Sequence, residues 1–270
     1  MVSPVRPYLG CMPAMTSFIA DRAVARSEVQ RWEAGRAKVV LKKFVSRLGT
    51  RAIAEIAPDL DIDTVLSADL DTQRAALVTL KTGLGHAGMY AMLRRDLATS
   101  ERISRVAVAA SRGRVARSVI RVVAPGCSAT AFADWFNNLV VVNDEVNMIA
   151  AMPDHYLLRG LPDGRQEVVE TTGGSPTPTR FVVDYTKTDT LATPADPEYP
   201  IQIAGQALLD DGVVIGGVRH QLRDRDGALE ALLTVEFPGL TPAPLVAAHR
   251  WHLAVEFGNW IVAAQSHTDH

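Results

Sequence analysis

The sequence predicts an α+β fold in which a helical region precedes an antiparallel sheet that curls around one long C-terminal helix. Three features carry this reading. The chain changes character near residue 115: no proline interrupts residues 16–49, whereas β-branched runs separated by Gly, Pro and Asp fill much of the chain beyond residue 115. Leu222–Ala228, centred on Asp224-Arg225-Asp226-Gly227, is a strong hairpin signal. After the strands comes an apolar stretch, residues 243–265, of helical length.

From Thr16 to Gly49 the chain is rich in Ala, Arg, Lys, Val and Glu, which favours helix, and Gly49 is a plausible C-cap. A turn is expected at Ala57-Pro58-Asp59, with helices at about 71–81 and 87–98. Residues 1–114 are therefore assigned to a helical N-terminal region and residues 115–270 to a second domain. In the latter, Ser118–Val123 reads as a strand closed by Ala124-Pro125-Gly126, and Ser128–Asn138 as a short helix capped by Ser128 or Thr130. Glu167–Glu170, Arg180–Thr186, Ile201–Leu209, Val213–Arg223 and Ala228–Phe237 read as strands.

The 270 residues can bury a substantial core, and 47% of them are hydrophobic. A net charge of −2 does not suggest a nucleic-acid binder, and the arginines between Arg102 and Arg121 read as a solvated face or a linker. Two cysteines, Cys11 and Cys127, fit neither a disulfide framework nor a cysteine zinc site, so a reducing compartment is expected. No secretory h-region opens the chain, and no window approaches the roughly 20 apolar residues of a membrane span. The expectation is a soluble cytoplasmic protein with no nucleic-acid or membrane partner.

The chemistry concentrates on the last helix. His249, His252, Glu256 and Asn259 interrupt an apolar background and fall within an arc of roughly 80° at about 100° per residue. A narrow polar stripe on an otherwise apolar helix suits a polar cavity better than bulk water. His252 and Glu256, four residues apart, can reach a single divalent ion. The alternative is a His–Glu hydrogen bond on a solvated face.

The segment His252-Leu-Ala-Val-Glu256-Phe-Gly-Asn259-Trp260 resembles the closing motif of the 2,4-diacetylphloroglucinol hydrolase family (phloretin hydrolase-like enzymes). Four further pieces keep the family's order: Val119–Gly126 with Ala131–Phe136, Met152-Pro153-Asp154-His155, Val168–Gly174, and Gly217–Asp224 with Leu229–Leu232. The likeness spans about residues 115–262; the family's paired tryptophans become a single Trp135. It implies a START-like helix-grip domain holding one zinc ion through His155, Glu170, His252 and Glu256, with Glu167 the alternative if the strand register is off by three. It also implies hydrolysis of a C–C bond between an acyl group and a phenolic ring. His220 is the first candidate to hold phenol oxygens and move a proton, with Tyr156 and Tyr185 after it, while Asn259 would anchor substrate or support Glu256. The N-terminal helices, without an assigned role, suggest a homodimer.

Two rival classes stand beside this. A START-like pocket could bind a hydrophobic ligand without catalysis. Gly83-Leu-Gly85-His-Ala-Gly88 matches GxGxxG and invites an NAD(P) site, with Arg112 and Arg114 on a 2′-phosphate. Against this, Ala75–Leu80 reads better as helix than strand, and a glycine-permitted helix junction accounts for the match.

Overall fold

The computed structural model describes residues 15–268. Its elements are β1 (Thr16–Ile19), β2 (Arg22–Ala25), α1 (Arg26–Ile56), α2 (Ile62–Ser67), α3 (Leu70–Ser111), β3 (Val115–Pro125), α4 (Ala129–Val141) and α5 (Glu145–Ala150), then β4 (His155–Gly160), β5 (Gln166–Glu170), β6 (Thr179–Asp184), β7 (Ile201–Leu208), β8 (Val214–Arg225), β9 (Ala228–Pro238) and α6 (Ala243–Thr268). The strands form one nine-stranded antiparallel sheet in the order β2-β1-β3-β9-β8-β7-β6-β5-β4. The sheet packs one face around α6 and α4, giving the START-like helix-grip arrangement, and a largely helical N-terminal region lies outside it.

Local chemistry explains most elements. Asp226 and Gly227 both have positive φ, 53° and 73°, so the β8–β9 hairpin closes through residues that tolerate the left-handed region. Ser128 caps α4 by accepting from the Ala131 N–H, and Asp224 of β8 accepts from the Ala129 N–H at 2.7 Å, tying the helix to the sheet. Helix α6 is apolar around much of its circumference because it is covered twice. Leu253, Phe257 and Ile261 join the core under the sheet, while Trp251 stacks on Trp32 of α1 at 6.4 Å between ring centroids.

A second core joins α1, α2 and α3 to the outer face of β4 and β5, through Phe44, Leu80 and Leu93 against Tyr156, Leu157 and Val169. The N-terminal region is therefore packed against the sheet rather than held apart from it.

Several sequence expectations change here. Residues 16–25 are a hairpin and not helix: positive φ at Ala20 and Asp21 turns the chain, and β1 pairs with β3. Helix α1 continues past Gly49 to Ile56 with a break at Gly49, and the two helices expected after residue 71 are one, α3, broken at Gly85. The GxGxxG match thus lies inside a helix, where Gly83 allows Ile56 to approach, and the sheet has no parallel βαβ unit. The NAD(P) reading is overturned on both counts. Strand β4 and helix α5 have no clear periodicity in the sequence, and the structure supplies both. Cys127 is half-buried, and Cys11 lies outside the described residues.

Candidate functional site

Four of the expected site residues meet in one place. His155 opens β4 and Glu170 closes β5, and the two are direct cross-strand partners, so both side chains point to the sheet's inner face. His252 and Glu256, one turn apart on α6, face them. His155 Nε2 lies 3.3 Å from His252 Nε2, 3.4 Å from a Glu170 oxygen and 3.5 Å from a Glu256 oxygen. His252 Nε2 is 3.7 Å from Glu170 and 3.9 Å from Glu256. Four donor atoms each about 2.1 Å from one centre in a tetrahedron would stand about 3.4 Å apart. The separations from the two imidazoles are close to that value, and His155, His252 and Glu256 form one ligand-type trio with donor atoms all within 4.8 Å of one another.

The chemistry of the donors agrees with the spacing. Burial, with nearby positive charge, lowers the His155 pKa to about 3, and burial lowers His252 to about 4, so both imidazoles are neutral, the form that ligates. His155 Nδ1 lies 3.2 Å from the Met148 carbonyl, which only accepts; the proton therefore sits on Nδ1 and leaves the Nε2 lone pair aimed at the cluster. Burial and the neighbouring Glu170 push the Glu256 carboxyl well above the usual carboxylate range. The buried Glu170 carboxyl and the largely buried Glu256 carboxyl, facing two neutral imidazoles, form a site that a cation would relieve.

A bulge between His155 and Leu157 sets the local directions. Tyr156 and Leu157 both face outward into the second core, while Leu158 returns inward. Tyr156 is thereby removed from the site; its ring stacks on Phe44 at 6.4 Å. Glu167, three residues before Glu170, faces the other side of the sheet, where it accepts from Tyr90, Arg159 and Arg180, so Glu170 is the residue at the cluster. Asn259 also leaves the site. It donates to Glu33 at 3.0 Å and to the Ala151 carbonyl at 2.7 Å, and accepts from Arg74 and Arg26, clamping α6 to α1, α3 and the approach to β4. Seven residues beyond His252, it lies at the edge of the stripe and meets α1 rather than Glu256.

A cavity of about 790 Å³ opens over the cluster, lined by Glu170, Glu256, His220 and His249 among walls that include Phe136, Val168, Phe181, Leu253 and Trp260. His220 lies in its wall, edge-on to Phe257 at 4.7 Å; its buried Nδ1 has no hydrogen-bond partner, and burial lowers its pKa to about 3. Tyr185 also lines the cavity, but its hydroxyl donates to Gln166 at 2.7 Å, and burial raises its pKa.

Several contributors are given no role by the sequence. His249 stacks on His252 at 5.0 Å and forms a second ligand-type trio with Glu170 and His252, all within 4.8 Å; its spacing three residues before His252 on the stripe is the available signal. The 3-10 turn Thr172–Gly174 presses on α6 beside it: Gly173 has φ +53°, and a Cβ there would collide with the Leu245 carbonyl and lie 2.9 Å from the His249 backbone nitrogen. Asp154, fully buried, receives Arg36 of α1 through two bonds of 2.8 and 2.7 Å and the Thr171 hydroxyl. Lys81 of α3 donates to the Pro153 carbonyl at 3.0 Å. The N-terminal helices thus brace the residues flanking His155 and Glu170.

These observations define a helix-grip protein with a buried two-imidazole, two-carboxylate cluster at the floor of an apolar cavity. No family model and no curated protein matches the chain. Matching solved structures include the "Crystal structure of Ara h 8.0201", at 14% identity over 57% of this chain and 99% of that one, with a TM-score of 0.37. Another is protein Ms6760 from Mycobacterium smegmatis, at 13% identity over 57% and 93%, with a TM-score of 0.32. Likeness at this level carries no argument about function, and the fold assignment rests on the strand order and α6. Among the described residues, no helix is long and apolar enough to cross a membrane.

Proposed function

We propose that this protein is a metal-dependent hydrolase that cleaves the C–C bond between an acyl group and a phenolic ring, in the manner of the 2,4-diacetylphloroglucinol hydrolase family it resembles. The observation that carries the reading is the convergence of His155, Glu170, His252 and Glu256, from two strands and a helix, at ligand spacing beneath the cavity. These four would hold zinc. Bound there, the ion would polarise the acyl carbonyl and lower the pKa of a water toward about 7.

The reaction adds the hydroxyl of water to the acyl carbon and a proton to the ring carbon. The ring departs readily because its keto tautomer makes the leaving carbon that of a stabilised enolate. His220, neutral and in the cavity wall, would hold a phenol oxygen and pass a proton. Tyr185 keeps its hydroxyl on Gln166 and shapes the wall. The apolar walls exclude water from the remainder of the substrate.

A second reading, a START-like pocket that binds an apolar ligand without catalysis, is favoured by the size and apolar lining of the same cavity. Metal content by plasma mass spectrometry separates the two. About one zinc per chain, lost in His252→Ala and in Glu256→Ala, supports the hydrolase and justifies assaying acylphloroglucinols for cleavage. Wild-type protein that stays metal-free after reconstitution leaves the binding module.

A further inference from the structure

The cavity does not end at the His–Glu floor. Ile103, Val106, Ala107 and Ala110, along the C-terminal half of α3, line it together with Leu240. Ile103 is 60% exposed, Val106 68% and Leu240 53%, so this end reaches the surface while His249 and Glu170 are buried. An apolar passage therefore runs from the cluster outward beneath α3. That helix is tethered across the opening: Ser100 donates to the Pro178 carbonyl at 2.6 Å, Arg105 pairs with Asp211 at 2.7 Å, and the Leu240 N–H donates to Ser111 at 3.0 Å.

Size and polarity then limit the occupant. A volume of about 790 Å³ stands well up the range of about 300–1,000 Å³ seen for small-molecule pockets, leaving room beyond one ring and a short acyl group. Of the titratable groups that line the cavity, Glu170, Glu256, His220 and His249 gather around the floor and lower wall, and the buried Glu236 is taken up by the Ala192 and Thr193 N–H groups. The passage is lined mainly by the aliphatic side chains of α3 and Leu240, which reward methylenes, with Arg102, Ser104 and Thr241 as the polar groups at this end.

We propose that the compound taken by this pocket is amphipathic, a phenolic head on the His–Glu floor bearing an extended aliphatic chain that leaves beneath α3. The head assignment rests on the function proposed above; the chain assignment rests on the passage alone.

The test is calorimetric titration with 4-alkylresorcinols from ethyl to dodecyl, which carry no acyl group and are not cleaved. Each buried methylene is expected to tighten binding about fourfold, the equivalent of ~0.8 kcal/mol, until the passage is filled. Ala107→Trp, which plugs the passage, should flatten the series beyond its shortest members. Ala110→Trp serves the same purpose if Ala107→Trp does not fold, and Ala109→Trp, on the same helix but off the cavity, should leave the series unchanged. A series flat from ethyl onward in wild type, or plug and control variants that shift every member alike, overturns the proposal. Failure of the hydrolase reading shows differently: a rising series on protein that binds no zinc keeps the passage and removes the chemistry. A flat series on zinc-loaded protein that cleaves acylphloroglucinols does the reverse.

Discussion

Arg36→Met should unfold this protein more readily than its place on the first helix suggests. Asp154 is fully buried and takes two hydrogen bonds from the Arg36 guanidinium, which is 17% exposed. Removing Arg36 leaves a carboxylate in the interior with the Thr171 hydroxyl as its remaining side-chain donor. Breaking a buried pair from one side costs about 3–5 kcal/mol, and access of water to the arginine end favours the lower figure, about 3 kcal/mol. Asp154→Asn should cost less, about 1–2 kcal/mol, because the partly exposed guanidinium can turn to water. The double variant should fall short of the sum by about 2 kcal/mol. Equilibrium urea unfolding in chelator, so that metal does not enter, measures all three. Asp154 precedes His155 and Thr171 comes directly after Glu170, so the zinc affinity proposed for this cluster should also drop roughly 10- to 100-fold. An Arg36→Met loss under about 1 kcal/mol, or a cycle additive within about 0.5 kcal/mol, would refute the reasoning.

Neighbouring contacts set further outcomes. Lys81, facing Asp154 and His155, is held by burial at a pKa of about 7 against its ordinary 10.5. Between those values the unfolded chain binds the extra proton, so stability should rise with pH by up to ~1.4 kcal/mol per unit, and Lys81→Met should abolish that slope in urea midpoints taken at pH 7.5 and 9.5. Asn259→Ala removes the clamp on Glu33 and Ala151 and should cost about 2 kcal/mol, yet leave whatever zinc content the wild type shows unchanged; loss of metal in this variant would return Asn259 to the site. Gly173→Ala should destabilise by more than about 1 kcal/mol through its positive φ and the collision with Leu245, and an unchanged melting temperature would contradict the close approach. Light scattering should give twice the chain mass if the chain pairs as a homodimer, and a monomeric mass dismisses that proposal.

The strand-and-helix plan after residue 115 is legible because local signals agree: the Asp226-Gly227 turn, the Ser128 cap and the polar stripe on α6 each declare themselves within a few residues. The proposed ligand set comes from motif order, since nothing local says that the residue opening β4 stands opposite the one closing β5. Directions at single positions are harder. A bulge of one residue sends Tyr156 outward, and no signal in its neighbours marks the bulge. Asn259 shares an arc with His252 and Glu256, but which end of that arc meets α1 depends on how a helix more than two hundred positions earlier packs. For the same reason Arg36 and Lys81 look like solvated helix charges until the fold brings Asp154 and Pro153 to them.

The β1–β3 pairing has a consequence for how the chain comes together. Thr16 lies opposite Val123 and Ile19 opposite Ile120, so the whole of α1, α2 and α3 is an excursion between two adjacent strands. Those helices are built from local contacts and can form early, whereas the ladder joining β1 to β3 must wait for a closure of about a hundred residues. The β1–β2 hairpin, at one edge of the sheet, then acts as a latch closed last and opened first. Its amides should exchange with solvent well ahead of those in β8 and β9, and a protease that reaches this edge would release the helical excursion at one end while β3 still holds the other.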